Sequence, residues 1–154
     1  MNITLSQTYN LIYPDWKIKN ESLEEILSQS PYTLFCVYPK NGTPGCTLEN
    51  TDFSNHQEEF TKKWIQCIGI SRDNLDSHND FISKYCLKNI LLSDLDLFLH
   101  KELGAFWEKN NYGKKVEWVI RSTFLFDREG NLIKEWNNVK ATGHVEKLLR
   151  EINL

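Results

Sequence analysis

The feature of the sequence that most restricts its fold is an apolar run at residues 32–38, which ends at a loop rich in proline and glycine. The run is built from aromatic, β-branched and other side chains that suit a strand, and it contains no charged residue. A strand with one face in solvent alternates apolar and polar side chains, whereas a strand covered on both faces is apolar throughout. The run therefore predicts a central strand of a sheet that carries helices on both faces.

The rest of the chain alternates between helix and strand patterns. The predicted elements are a helix at 22–27 with capping-box spacing, the strand at 32–38, an amphipathic helix at 46–63, a strand at 64–70, a helix at 75–84, a strand at 90–92, a helix at 94–103, a long strand at 116–127 that forms a hairpin with 132–136, and a last helix at 143–152. This order predicts an α/β fold with a central mixed sheet, flanked by helices on both faces, in one domain over residues 1–154. Right-handed crossovers make the early strands parallel, so the loops at 39–46 and 71–73 leave carboxyl ends of strands, where functional loops lie.

Charge and composition exclude several classes of function. The chain has 18 basic and 21 acidic residues, a formal net charge of -3 and no basic block, so we expect neither a nucleic-acid surface nor an anionic-membrane surface. Its apolar runs have the length of strands and are too short to span a bilayer. No basic residue precedes Lys17, which predicts the absence of a secretory or transit leader. We therefore expect a cytoplasmic protein.

The four cysteines are Cys36, Cys46, Cys67 and Cys86, and no two of them form a C-x-x-C pair. This spacing disfavours a zinc knuckle and a disulfide-exchange dithiol. The four histidines also lack close partners at ligand spacing, and no feature of the sequence requires a metal or an organic cofactor. In a reducing cytoplasm we expect free thiols, one of which could be reactive.

Cys46 lies where a helix is predicted to begin, because Pro44 and Gly45 interrupt regular structure just before it. A nucleophilic cysteine must be ionised near neutral pH, whereas a free thiol has a pKa of about 8.5. The unpaired N–H groups and partial positive charge of a helix N-terminus favour the thiolate. Gly45 allows a small ligand to approach the backbone, and Thr43 places a hydroxyl three residues upstream. The loop alone leaves two interpretations open, a reactive thiol and an inert loop thiol.

The other cysteines fit other interpretations. Cys36 lies within the apolar run and Cys67 within the next predicted strand, so both are interpreted as small buried hydrophobic residues. Cys86 follows a predicted helix end, and its accessibility stays open.

The loop resembles the peroxiredoxin signature Pro-x-x-x-Thr-x-x-Cys, which is met here by Pro39, Thr43 and Cys46. The wider segment 38–49 is similar to the bacterioferritin-comigratory, or peroxiredoxin Q, branch of that family. Further similar segments follow in the same order, so that the resemblance extends from residue 38 to the C-terminus. They are 69–73 with 77–78 and 81, 84–85, 91–94, 112–114, 119–127 and 143–145.

The resemblance implies a thioredoxin-like fold and a thiol-dependent peroxidase. Such an enzyme reduces hydrogen peroxide and organic hydroperoxides through a sulfenic acid, here on Cys46. The resemblance implies that Thr43, Cys46 and Arg121 form the peroxide site. It also implies supporting or substrate-binding positions, which are Pro39, Gly45 and Glu49.

The chemistry of peroxide reduction supports a role for Arg121. When a thiolate attacks one peroxide oxygen, charge develops on the leaving oxygen, and fixed donors aimed at that charge lower the barrier by a few kcal/mol. An arginine charge does not titrate and can serve the thiolate and the peroxide together. Arg121 stands between apolar segments, where a charge needs a partner. Glu49 could be that anchor, or a solvated carboxylate on the helix face. Trp107 resembles an aromatic residue near the active site of the family, but we expect it to pack in the core.

The sequence departs from the branch at the resolving cysteine. Many members carry it five residues after the reactive cysteine, where this chain has Thr51; others place it nearer to Ile82 than to Cys86. Three routes remain for the Cys46 sulfenic acid: reduction by an external thiol such as thioredoxin, glutaredoxin or glutathione, condensation with Cys86 after local unfolding, or pairing between subunits. We expect the first route, a one-cysteine mechanism, in a monomer or weak dimer. The N-terminal third also diverges, with a shortened hairpin before the first helix.

Two other functions compete with a peroxidase. One is a non-enzymatic redox sensor on the same fold, in which oxidation of Cys46 changes a surface for a partner. The other is a thiol–disulfide oxidoreductase, which the absence of a C-x-x-C pair disfavours. Thr43 and Arg121 separate these functions, because peroxide activation needs both residues and a plain sensor thiol needs neither.

Overall fold

The computed structural model describes residues 1–154 as nine strands and six helices. The strands are β1 (Thr8–Ile12), β2 (Ile18–Ser22), β3 (Tyr32–Val37), β4 (Ile65–Ser71), β5 (Ile90–Ser93), β6 (Phe106–Asn111), β7 (Lys114–Val119), β8 (Ser122–Asp127) and β9 (Leu132–Trp136). The helices are α1 (Leu23–Ser28), α2 (Pro44–Asn55), α3 (Gln57–Lys62), α4 (Leu75–Tyr85), α5 (Phe98–Glu102) and α6 (His144–Glu151). None of these helices combines the length and the apolar character that crossing a bilayer would need.

Seven strands form one mixed sheet in the order β2-β1-β5-β4-β3-β8-β9, and β6 and β7 form a separate two-stranded sheet. β4 runs parallel to both β3 and β5, whereas β8 is antiparallel to β3 and β1 is antiparallel to β5. The predicted α/β class, the parallel early strands and the hairpin of β8 and β9 are confirmed. β3 lies inside the sheet, as its apolar sequence predicts.

The side chains of β3 divide the core between the two faces of the sheet. Phe35 and Val37 pack in a cluster with residues of α1 and α5, whereas Leu34 and Cys36 pack in a cluster with residues of α2, α3 and α6. This alternation follows from the period of two in an extended strand. Both faces of β3 are therefore covered by helices.

The start of α1 has the capping box that its sequence predicts. Ser22 Oγ accepts a hydrogen bond from the backbone N–H of Glu25 at 3.1 Å, and Glu25 Oε1 accepts one from the backbone N–H of Ser22 at 3.0 Å. Two N–H groups that the helix leaves without partners are thereby satisfied.

The single helix predicted at 46–63 is wrong, because the chain breaks at His56 into α2 and α3. His56 has φ -108° and ψ 13°, outside the helical range, and its side-chain Nδ1 lies 2.7 Å from the carbonyl of Asp52. The predicted apolar contact survives the break, since the rings of Phe53 and Phe60 lie 5.8 Å apart. The two helices thus cover one stretch of the sheet together.

The single strand predicted at 116–127 is also wrong. It is two strands in different sheets, β7 and β8, with Ile120 and Arg121 between them. The N–H of Ile120 donates to the carbonyl of Ala105 at 2.7 Å, whereas the carbonyl of Arg121 accepts from the N–H of Val139 at 2.9 Å. The chain changes sheets at this point because successive residues bond to different partners. Arg121 therefore lies at a junction and not within a strand.

Two smaller predictions about this half of the chain are corrected as well. The helix predicted at 94–103 is shorter than expected. It is α5, which begins only at Phe98 because Leu97 has φ +63° and cannot belong to a right-handed helix. Trp107 is not in the core: it is 47% exposed and packs against Trp118, with ring centroids 4.2 Å apart. The two residues are paired across β6 and β7, a ribbon whose residues are mostly exposed, so both indoles are about half exposed.

Candidate active site

Cys46 is the third residue of α2, which follows the loop that leaves the carboxyl end of β3. Thr43 is the N-cap with φ -72° and ψ 151°, and Pro44 occupies the first helical position, where its missing N–H costs nothing. The Thr43 hydroxyl makes no capping bond and instead donates to the carbonyl of Lys40 at 3.0 Å. The first-turn N–H groups therefore have no cap from Thr43, and a helix N-terminus in that state favours an anion.

Arg121 joins the cysteine to a buried acid. Its Nη2 lies 3.3 Å from Cys46 Sγ, and its Nη1 lies 3.2 Å from Glu49 Oε2. Gly45 leaves room for the guanidinium beside the helix backbone, since a Cβ there would make a tight contact of 3.3 Å with Arg121 Nη2. Two residues that are 75 positions apart in the sequence are thus brought into direct contact.

Glu49 is buried, with 1% of its surface exposed, so the interpretation as a solvated carboxylate is wrong. Burial raises the pKa of Glu49 to about 7, although the neighbouring Arg121 charge acts in the opposite direction. A buried carboxylate needs a partner, and Arg121 is the cation that it contacts. The ion pair fixes the orientation of the guanidinium relative to the sulfur.

The cysteine side chain lies in an apolar setting. Cys46 has no exposed surface and belongs to a cluster of buried residues from β1, α4, β5 and the segments that follow β3 and α4. The cluster consists of Ile12, Tyr38, Cys46, Phe81, Ile82, Leu87 and Leu91. Because water is excluded there, the attraction between the Arg121 charge and a charge on sulfur is screened less than in solvent. Pro39 stands at the base of the same loop, directly after Tyr38, and is partly exposed.

Two asparagines that the sequence analysis did not single out hold α2 in place. Asn50 Nδ2 donates to the carbonyl of Cys46 at 2.9 Å, and Asn89 Nδ2 donates to the carbonyl and to Oδ1 of Asn50 at 3.0 and 3.1 Å. Gly69 of β4 makes room for this arrangement, since a Cβ there would lie 3.3 Å from Asn50 Oδ1. The spacing of four residues between Cys46 and Asn50 could have indicated a shared helix face. No local signal points to Asn89.

The other cysteines lie where the sequence analysis places them. Cys36 and Cys67 are 3% and 4% exposed, and burial raises the pKa of both thiols, so their interpretation as buried hydrophobic residues is confirmed. Cys86 is exposed and terminates α4 with φ +52°. No group of three or more His, Cys, Asp or Glu side chains is arranged to hold a metal ion.

A buried cysteine at a helix N-terminus, an arginine on its sulfur and a carboxylate behind that arginine define a class of thiol-based sites, and comparison with known proteins gives the family. The profile of the AhpC/TSA family matches residues 6–135. A putative peroxiredoxin bcp of Helicobacter pylori is 42% identical over 144 residues, which are 90% of this chain and 93% of that relative. Peroxiredoxin Bcp of Bacillus subtilis is 40% identical over 145 residues, with 90% of both chains covered.

Solved structures agree with this result. The structure of the bacterioferritin comigratory protein of Xanthomonas campestris, described for its alkyl peroxide reduction activity, matches with a TM-score of 0.84 and 33% identity. The match covers 96% of this chain and 90% of that one. The chain therefore belongs to the AhpC/TSA family, with the thioredoxin-like fold of peroxiredoxins, which are thiol-dependent peroxidases.

Proposed function

We propose that Cys46 is the nucleophile with which this protein reduces hydrogen peroxide and organic hydroperoxides. The observation that carries the proposal is the bridge made by Arg121, whose two terminal nitrogens contact Cys46 Sγ and Glu49 Oε2. A fixed positive charge 3.3 Å from sulfur stabilises the thiolate over the thiol. The same guanidinium carries further N–H donors for an oxygen that approaches the sulfur.

The proposed first step conserves atoms and electrons. The Cys46 thiolate attacks the nearer oxygen of ROOH, an S–O bond forms as the O–O bond breaks, and the sulfur is oxidised to sulfenic acid. The leaving RO⁻ takes up a proton and departs as ROH, or as water when the substrate is hydrogen peroxide. Arg121 lowers the barrier by stabilising the negative charge as it moves from sulfur to the leaving oxygen.

Thr43 is proposed to orient the peroxide. Its hydroxyl donates to the carbonyl of Lys40, which leaves the oxygen lone pairs free to accept a hydrogen bond from the O–H of a hydroperoxide. Gly45 keeps the backbone accessible beside Arg121, and Pro39 and Pro44 restrict the loop conformations that carry Thr43. Holding the reacting oxygen near the sulfur in this way is a large part of what a site can contribute to rate.

We propose a one-cysteine mechanism for the return of Cys46 to the thiol. One external thiol condenses with the sulfenic acid and releases water, and a second thiol reduces the mixed disulfide. Cys36 and Cys67 are buried in the sheet, and Thr51 has no sulfur. A disulfide with Cys86 needs Cα atoms within about 7 Å, and both cysteines are held in helix ends, where the N–H of Cys86 donates to the carbonyl of Ile82.

The setting proposed for this reaction is a reducing one. Four free thiols and a thiol co-substrate such as thioredoxin, glutaredoxin or glutathione suit the cytoplasm. We further propose that residues 1–154 act as one domain, because strands from both ends of the chain share one sheet. A monomer or weak dimer is the proposed assembly.

The test supplies thioredoxin, glutaredoxin with glutathione, or dithiothreitol separately and follows peroxide consumption. Cys46→Ser is expected to abolish turnover, whereas Cys86→Ser is expected to leave turnover with dithiothreitol unchanged. Full turnover by Cys46→Ser would refute the proposal. Loss of turnover in Thr43→Val and Arg121→Ala separates an enzyme from a redox sensor, because peroxide activation needs both residues and a plain sensor thiol needs neither.

The one-cysteine route has a separate readout. After one equivalent of peroxide, mass spectrometry is expected to find a sulfenic acid on Cys46. A loss of two hydrogens that links the Cys46 and Cys86 peptides would instead establish Cys86 as the resolving cysteine.

A further inference from the structure

Asn41 lies five residues before Cys46, and its side-chain oxygen and nitrogen contact three different side chains. Its Oδ1 accepts from the hydroxyl of Tyr38 at 2.6 Å. Its Nδ2 donates to Ser77 Oγ at 3.1 Å and lies 2.9 Å from His78 Nδ1. Ser77 and His78 belong to the first turn of α4. A single amide therefore links the loop at residues 39–46, here called the Cys46 loop, to α4.

The tautomer of His78 follows from its second contact. His78 Nε2 lies 3.2 Å from the carbonyl oxygen of Leu92, which can only accept, so Nε2 carries the proton in the neutral ring. Nδ1 is then an acceptor, and the bond at 2.9 Å is donated by Asn41 Nδ2. His78 is fully buried, and burial lowers its pKa to about 4, so the ring is neutral at physiological pH.

The backbone of Asn41 provides a second link in the same direction. Its N–H donates to Asp73 Oδ2 at 2.9 Å, and the same oxygen accepts from Ser71 Oγ at 2.8 Å. Asp73 is the charged group that acts on the pKa of His78, and Tyr38 is the other titratable member of the network. The Cys46 loop is thus bound to the segment between β4 and α4 by a backbone bond, and to α4 itself by the amide.

The contacts require one acceptor and two donors from the same short side chain, and among the natural side chains of this length only an amide provides both. We propose that Asn41 is a positioning residue, whose amide holds the Cys46 loop against α4 so that Thr43 and Cys46 keep their places relative to Arg121. This inference rests on the proposed function of Cys46 and adds a residue to that site. Asn41 acts through the loop and does not itself contact the sulfur in the hydrogen bonds of the structure.

Two variants separate this role from general support of the fold. Asn41→Ala removes all three side-chain bonds, and the rate constant for oxidation of Cys46 is expected to fall about 10- to 100-fold at every pH, the range that a misplacement of about 1 Å can produce. Asn41→Asp keeps the shape of the side chain and the hydrogen bond from Tyr38, and the hydroxyl of Ser77 can rotate to donate to the new carboxylate. The carboxylate then faces the lone pair of His78 Nδ1, and the contact needs one added proton.

Because of that added proton, the rate constant for oxidation of Cys46 in Asn41→Asp should depend on pH relative to the wild type. A variant that only weakens the fold would not show this dependence. Dividing its rate constant by that of the wild type at each pH removes the dependence that both share. The ratio is expected to be about 0.1 or lower near pH 8.5 and to rise severalfold towards pH 6, as the carboxylate and imidazole come to share a proton. A ratio that stays flat with pH would overturn the proposed contact with His78.

The matched control is Asn74→Ala. Asn74 caps α4 by accepting from the N–H of Ser77 at 2.8 Å, so its loss weakens the same helix without touching the loop. Its oxidation rate is expected to stay within about twofold of wild type. Equal losses in Asn74→Ala and Asn41→Ala would overturn the inference.

Hydrogen exchange tests the positioning role of Asn41 independently of the proposed function of Cys46. In Asn41→Ala two backbone amides are expected to exchange faster than in the wild type: that of residue 41, which donates to Asp73 Oδ2, and that of Thr47, which donates to the carbonyl of Thr43. In Asn74→Ala only the amides of α4 are expected to exchange faster. Unchanged exchange in the loop would overturn the positioning role whatever the chemistry of Cys46. A wild-type Cys46 that does not react with peroxide would refute the proposed function instead.

Discussion

Replacing Arg121 by alanine removes the group that connects Cys46 to Glu49, and the size of the effect can be worked from the contact distance. Two unit charges at 3.3 Å attract by about 5 kcal/mol at an effective dielectric constant of about 20. The resting thiolate already receives part of this attraction, so only the part that grows in the transition state affects the rate. Loss of one fixed donor of this kind costs about 3 to 4 kcal/mol, and we expect the rate constant to fall about 10²- to 10³-fold.

The fold is expected to tolerate this change because Glu49 can neutralise itself. Burial already raises the pKa of Glu49 to about 7, and Arg121 is the group that holds it down. Without the guanidinium, the carboxyl takes up a proton and no unpaired buried charge remains. Arg121→Lys keeps a charge but loses the planar fork that contacts two partners, so an intermediate loss of about tenfold is expected.

The assay is a stopped-flow measurement of the second-order rate constant for oxidation of the Cys46 thiol by hydrogen peroxide. Arg72→Ala is the matched control, since it removes the same charge from an exposed pair in which Arg72 Nη1 lies 3.2 Å from Glu117 Oε2. We expect Arg72→Ala to react within about twofold of wild type. If Arg121→Ala stayed within tenfold of wild type, or Arg72→Ala lost as much, local stabilisation by Arg121 would be refuted.

Two further predictions concern stability as a function of pH. The pKa of Glu49 is raised to about 7 in the folded chain, so the unfolded chain binds fewer protons between about pH 4.5 and 7, and this group's contribution to stability is lost as the pH rises through that window. Between pH 4.5 and 8 the free energy of unfolding of Glu49→Gln, measured with urea, should therefore rise by up to about 3 kcal/mol relative to that of the wild type. A difference that stays constant with pH would contradict the raised pKa. His144 behaves in the opposite sense: burial lowers its pKa to about 4, so its contribution is present above about pH 6.5 and is lost as the pH falls through about 4. Between pH 7 and 4 the free energy of unfolding of the wild type should fall by up to about 3 kcal/mol relative to that of His144→Asn. Parallel curves would show that His144 binds a proton as readily in the native chain as in the unfolded chain.

Much of the fold could be predicted because its signals are local. The apolar run that becomes β3 and the capping box at Ser22 are each specified by a few adjacent residues. The position of Cys46 at the start of α2 follows in the same way from Pro44 and Gly45. These parts of the structure depend on periodicity and chain geometry, which a sequence displays directly.

Other parts depend on contacts that no local pattern reveals. β6 is exposed along most of its length, so it has no apolar periodicity to mark it. The change of sheets at Ile120 and Arg121 lies within a stretch whose residues all suit a strand, and only the partners of its backbone groups break it. Asn41 resembles an ordinary loop residue until α4 is packed beside it. The pairing of Arg121 with Glu49 needs the fold, because a strand junction and a helix must meet.

The opposite exposures of Cys46 and Cys86 mean that the order in which the two thiols react depends on the reagent. A maleimide or another bulky alkylating tag meets Cys86 on the surface, while Cys46 has no exposed area for it to reach. A chemoproteomic survey of the folded protein with such tags would score Cys86 as the responsive site and overlook Cys46. In the proposed mechanism hydrogen peroxide would reverse that order, because Arg121, whose Nη2 lies 3.3 Å from Cys46 Sγ, favours the reaction at Cys46.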